Sequence, residues 1–465
     1  MASRILNSLA LAALAFTTAA LLSACDPCAK CGGHEKPTPT ATATTTPTAT
    51  PTPVVGSTGS GLFALDPTKH LAFVPLLNPP GFDTNSRVAV LDVGVDPNTT
   101  DPRKTTVILG HPDSPTGTAL DAKDAIVIVV SGSSGTGFVD LIDENTFALL
   151  TPTPITIPGN SQPGDTGQVL FDPVNNVAIL GVTDGTGCPA PGACTGFISF
   201  DPVAKTFGTL IPANYPETFA FNPNTQQVVD SSDDSPTGQT QVIDVTGSRT
   251  CALSDANLGG DQDGASVDNT TDLVVISNEN GTATVLNLNG SMLSGSGSSC
   301  TVTEGGTNPN SVLLSGLPSA TAGSAVNSAT HQAFLIEDEN PGISLISMPS
   351  SPVTQITAAA LSAISTTLPN DPNGCAWATQ GDPYAVAVDS IHNLGYAANV
   401  VGSSSNGATF LVQVDLAKFQ SAPSSITTAL PSGNCAGTTT TLGCNNNNGV
   451  VFFALPPETG ASSCN

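Results

Sequence analysis

One pattern recurs seven times along this chain and constrains its fold more than any other feature. A short alternating apolar strand leads to an Asp or Asn, a turn of two to five polar residues follows, and a second apolar strand begins. The copies read GLFALDPTKHLAFV (61–74), TALDAKDAIVIVV (118–130), QVLFDPVNNVAILGV (168–182), TFAFNPNTQQVVD (218–230), ASVDNTTDLVVIS (265–277), SAVNSATHQAFLI (324–336) and YAVAVDSIHNLGYAA (384–398). Their anchor residues, Asp66, Asp121, Asp172, Asn222, Asp268, Asn327 and Asp389, are spaced by 55, 51, 50, 46, 59 and 62 positions. Asp or Asn opens such a turn because its side chain caps the backbone two residues on, and a following Pro presets φ.

A third strand follows each copy, as in VAVLDV from Val88, FVDLID from Phe138 and LVQVDL from Leu411, with a weaker fourth in most. Four short strands in a period of roughly 40–60 residues is the arithmetic of a propeller blade. Seven periods therefore predict an all-β, seven-bladed β-propeller of four-stranded antiparallel blades. The period has a cause in burial, since one four-stranded sheet cannot cover both its faces and must stack on neighbours. A string of immunoglobulin-like sandwiches also shows short strands and Thr/Gly/Pro turns, but at about 90 residues each it would repeat at near twice this spacing. The final strand, VVFFAL (450–455), is one too many for seven complete blades. It either replaces the fourth strand of the last blade or clasps the first.

Composition agrees. Charged residues make up 10% of the 465 positions, with 45 Gly and 38 Pro, which argues against long solvent-facing helices. Eleven basic against 37 acidic residues give a net charge of −26, a field that makes nucleic acid and anionic lipid surfaces poor partners.

The N-terminus reads as an address. Arg4 precedes an apolar stretch from Ile5 to Leu22 that ends in Leu22-Ser23-Ala24-Cys25. A short positive region, an apolar core and a small-residue site make a secretory signal; an uncleaved membrane helix is the other reading. Those last four residues resemble a bacterial lipobox. The resemblance implies a signal peptide over 1–24, removal of that segment, palmitate-type acylation of Cys25, and a protein held at a cell-envelope membrane on the extracytoplasmic side through N-terminal lipid alone. Asp26 resembles an enteric inner-membrane retention signal, but the choice of membrane stays open. The run PTPTATATTTPTATPTP (37–53) reads as an extended stalk, spanning up to roughly 50 Å at about 3.1 Å per residue. The expected organisation is signal peptide 1–24, lipidated cysteine and Pro/Thr-rich linker 25–57, and propeller 58–465.

Eleven cysteines less the acylated one leave ten, an even number that fits disulfides in an exported chain. Local spacing suggests Cys188 with Cys194, Cys435 with Cys444 and Cys251 with Cys300, leaving Cys375 for Cys464. Cys28 and Cys31, with His34 nearby, could be a redox couple or half a metal site. Their place between anchor and stalk favours an inert disulfide.

Candidate chemistry centres on the loops that enter each innermost strand. Seven residues before three anchors stand Asp165, Asp261 and Asp382, each after a glycine, with Asp263 two past Asp261 and Glu217 entering blade four. Carboxylates converging on a channel mouth repel one another unless a cation binds, and hard oxygen ligands suit Ca²⁺; the alternative is that these acids simply point into water. Trp377 and Tyr384 flank Asp382 and offer a stacking ledge for a sugar or peptide, or else a core plug. His70, His331 and His392 follow anchors and read as solvated turn tips, and His111 lies in a turn between blades. The asparagine run 445–448 and the DSSDDS segment at Asp230 read as solvated loops. No nucleophile elbow, HExxH or phosphate-cradling loop is present.

The repeats resemble bacterial YVTN-type propellers and, more distantly, NHL repeats from Gly61 to about Leu430, though no copy contains a literal YVTN string. The function expected is a monomeric, membrane-anchored binding or scaffolding module for a protein or glycan. The alternative is a metal-dependent hydrolase or lactonase at the channel mouth.

Overall fold

The computed structural model describes residues 57–59 and 62–455, apart from residues 77–85, 134, 165–166, 217, 232–239, 246–249, 255–261, 289–298, 304–310, 319–320, 338–341, 371–384, 399–409 and 428–442. Seven small sheets make up the fold, antiparallel but for one parallel pair, Thr250–Ser254 with Ser299–Thr303. Their first strands, Ala64–Asp66, Pro115–Asp121, Val169–Asp172, Thr218–Asn222, Gln262–Asp268, Thr321–Asn327 and Ala385–Asp389, each end on an anchor residue. These strands neighbour one another in sequence order, and the seventh touches the first. The chain is a seven-bladed β-propeller.

Blade 5 shows the construction. Gln262–Asp268 pairs with Leu273–Asn278, then Thr282–Asn287, then Ser311–Ser315, all antiparallel. Side chains alternate between the two faces of a strand. Along Leu273–Asn278, Val274 and Ile276 therefore join a core cluster with Val229 and Val242 of blade 4, while Leu273 and Val275 join one with Ala333 and Leu335 of blade 6. A strand buried on both faces reads as a continuous apolar run, and each such Val, Leu or Ile contributes roughly 1.5–3 kcal/mol by leaving water.

The anchors are buried, from 0% exposed for Asp268 to 4% for Asp66, and every one accepts the backbone N–H two residues later. Four residues past each anchor the backbone turns left-handed, at His70, Ala125, Asn176, Gln226, Asp272, His331 and Asn393. Asn, Asp and His tolerate that region best, and they fill five of the seven positions.

Two segments close the ring. Val450–Ala454 is the fourth strand of blade 7, paired with Phe410–Asp415, which decides between the two expectations for that segment. The N-terminal strand Ser57–Gly59 pairs antiparallel with the inner edge of Ala385–Asp389, with Thr58 opposite Val388. It thus lies inside the axial channel, also beside the inner strands of blades 1, 5 and 6. Ser57 stands opposite the anchor Asp389.

Candidate functional site

At the anchor-turn end, side chains tie the blades together. Asn176 donates to Asp124 Oδ2 at 3.0 Å and Asn222 to Asp272 Oδ1 at 2.7 Å. Asn327 donates to Asn393 Oδ1 at 2.6 Å, and His331 Nδ1 lies 2.8 Å from Asp268 Oδ2. Asn175 bridges blades 3 and 4 to Gln226 Oε1 at 2.7 Å, and the rings of His70 and His392 stack at 4.7 Å across the closing seam. His70 and His331 are thus inter-blade contacts rather than the solvated tips expected, because the left-handed position four residues past an anchor points at the preceding blade; His392, one position earlier in its turn, stays exposed as expected and pairs with its own anchor Asp389.

Between blades 1 and 2, Lys69 donates to Glu144. Burial first, then the adjacent Asp66 carboxyl, push Glu144 up to about 7. Burial also opposes ionisation of Asp66, but hydrogen bonds from Glu144 and Thr68 outweigh it and hold that carboxyl below its ordinary value. Higher in the same junction His111 is buried, its Nε2 2.6 Å from Asp140 Oδ2. Burial alone would lower its pKa; the hydrogen bond and charge of Asp140, with Asp113, raise it instead.

The fasteners surround a cavity of about 290 Å³ in the channel, lined by the ends of the inner strands of blades 1 to 5 and by turn residues including Ile391 of blade 7. That volume sits at the small end of ligand pockets. The walls are mostly apolar, from Leu65, Leu120, Phe171, Phe221 and Val267, each immediately before an anchor, and from the turn prolines Pro67, Pro173 and Pro223. Among the polar lining groups, Asn176 and Asn269 each hold a buried Oδ1 that accepts no hydrogen bond, and Asn269 is only 8% exposed. Lys123 stands exposed at the mouth. The walls therefore suit a small apolar group.

The sequence puts its candidate carboxylates on the loops that enter the inner strands, away from the anchor turns. Cys25, Asp165, Glu217, Asp261, Trp377, Asp382 and Tyr384 lie outside the described residues. Asp263 is described: it falls within the inner strand of blade 5 at a register irregularity and is 2% exposed, not on an open loop. The DSSDDS segment also departs from expectation at its start. Asp230 and Ser231 end a strand and are fully buried, neither Asp230 oxygen has a partner, and burial drives that carboxyl well above its usual range. In the asparagine run, Asn446 is buried and its Oδ1 accepts from the backbone of Asn448 and Val450, so it caps the last strand rather than facing solvent.

Cys188 and Cys194 are disulfide-bonded, as the spacing suggested. With Asp184 they form the one His/Cys/Asp/Glu group among the described residues close enough to hold a metal, but the sulfurs are bonded to each other and Asp184 instead accepts from Cys194 N–H and Thr195 Oγ1. Cys444 is disulfide-bonded too, and its expected partner Cys435 lies outside the described residues. Cys251 and Cys300 stand opposite each other in parallel strands.

Sequence reasoning missed the cavity, although one signal was present: the residue before every anchor is large and apolar, and alternation alone does not require that at the channel edge. Neither a family model nor a curated protein matches this chain.

Proposed function

We propose that this protein is an exported binding module, tethered by lipid at Cys25 and a Pro/Thr-rich stalk, whose ligand site is the axial cavity at the anchor-turn end of the propeller. The observation that carries the reading is the cavity, with its apolar walls and partly open mouth at the anchor-turn end of the channel. The tether rests on the lipobox-like Leu22-Ser23-Ala24-Cys25 and the stalk composition, and the binding-module class on the resemblance of the repeats to YVTN-type propellers.

The test uses 8-anilinonaphthalene-1-sulfonate, whose rings suit the walls and whose sulfonate suits Lys123. Saturable fluorescence enhancement is expected with the native chain and its loss with Ala122→Trp, which places an indole at the exposed mouth turn. Equal enhancement in both proteins would remove the cavity as the site.

A further inference from the structure

We infer that the cavity accepts a short extended peptide, held edge-on by the inner strands of blades 1 to 5. This deepens the binding reading above and rests on it. In an antiparallel strand, alternate residues turn both N–H and C=O to the same edge. Two inner edges in this channel already carry peptide-like groups. On blade 7, Ser57–Gly59 of the chain itself pairs along the edge, Thr58 opposite Val388. On blade 4, the Gln168 side-chain amide accepts from Phe219 N–H at 2.5 Å and donates to Phe219 O at 2.7 Å, the two bonds a neighbouring strand would make.

Val388 is the residue before its anchor, and Phe221, two past Phe219, is the residue before its own. The same position falls on Leu65, Leu120, Phe171 and Val267, all of which line the cavity. Among the described strands, the inner strands of these blades pair only with the second strand of their own sheet. The cavity therefore presents a ring of strand edges of the kind that Ser57–Gly59 occupies on blade 7. Edge addition supplies affinity through main-chain bonds, with little demand on side chains, so small residues such as those of Ser57–Gly59 fit best.

The probe is acetyl-Ser-Thr-Gly-Ser-amide, the sequence that the chain itself begins to seat in the channel at Ser57. Its control is the same peptide with alternate amides N-methylated, which keeps the composition and removes the edge donors. Displacement of the bound dye by the plain peptide is expected, at least tenfold weaker displacement by the methylated one, and slowed amide hydrogen exchange in segments covering Leu120, Phe171 and Phe221. Equal displacement by both peptides, or dye binding that neither peptide disturbs, overturns the peptide class and leaves the cavity reading standing. Failure of the dye itself to bind overturns both.

Discussion

The sharpest consequence of the fold concerns Asp268. Its Oδ1 accepts from Thr270 N–H at 3.0 Å and Thr270 Oγ1 at 2.6 Å, and its Oδ2 faces His331 Nδ1 at 2.8 Å. Asp268→Ala removes two ordinary hydrogen bonds, about 1 kcal/mol each, and one charge-assisted bond of about 1.5–3 kcal/mol, for a loss of roughly 3–5 kcal/mol. Asp268→Asn keeps the cap and replaces the charged bond by a neutral one, costing about 1 kcal/mol. The protein already contains the compensated version: Asn222 donates to Asp272, which occupies the same left-handed position as His331. Asp268→Asn with His331→Asp should therefore recover most of the single-mutant losses, a coupling of about 1 kcal/mol or more. Urea unfolding is the assay of choice, since over roughly 400 residues 1 kcal/mol moves Tm by only about 1 °C. A double variant whose loss equals the sum of the singles, or an alanine variant no worse than the asparagine one, would refute the fastener account.

Two further expectations concern buried titratable groups. Burial pushes Glu337 from 4.5 up to about 8, so its carboxyl is protonated in the fold at neutral pH, and its contribution is complete below about 4.5 and lost as pH rises to about 8. Glu337→Gln should match the native chain at pH 4.5 and exceed it by several kcal/mol at pH 8.5, at roughly 1.4 kcal/mol per pH unit between; denaturation midpoints that stay parallel across that range would sink the argument. His111 is likewise raised, so the stability from its pairing with Asp140 is full below its ordinary 6.5 and declines as pH passes the raised value. Asp140→Asn should cost about 1.5–3 kcal/mol at pH 6 and less at pH 9, and a cost that grows with pH would contradict the assignment.

The anchors, the seven periods and the strands around them were legible because each depends on local chemistry. Asp66 and its six equivalents cap their own turns, and alternation along runs such as Leu273–Asn278 follows from burial on two faces. The inter-blade partners were not legible, since Asn222 and Asp272 are 50 positions apart and meet only when blades stack. His331 looked like a surface residue for the same reason.

Residue order alone thus determined the sevenfold sheet architecture, because each blade's pattern is written in short-range turn chemistry and strand alternation. That a cavity forms at the anchor-turn end was decided by tertiary structure. Ser57–Gly59 carries no apolar signal, yet ring closure seats it against Ala387–Asp389 and leaves the rest of the channel beside blades 1 to 5. That outcome depends on how seven sheets converge on one axis, and no local stretch of sequence encodes a convergence.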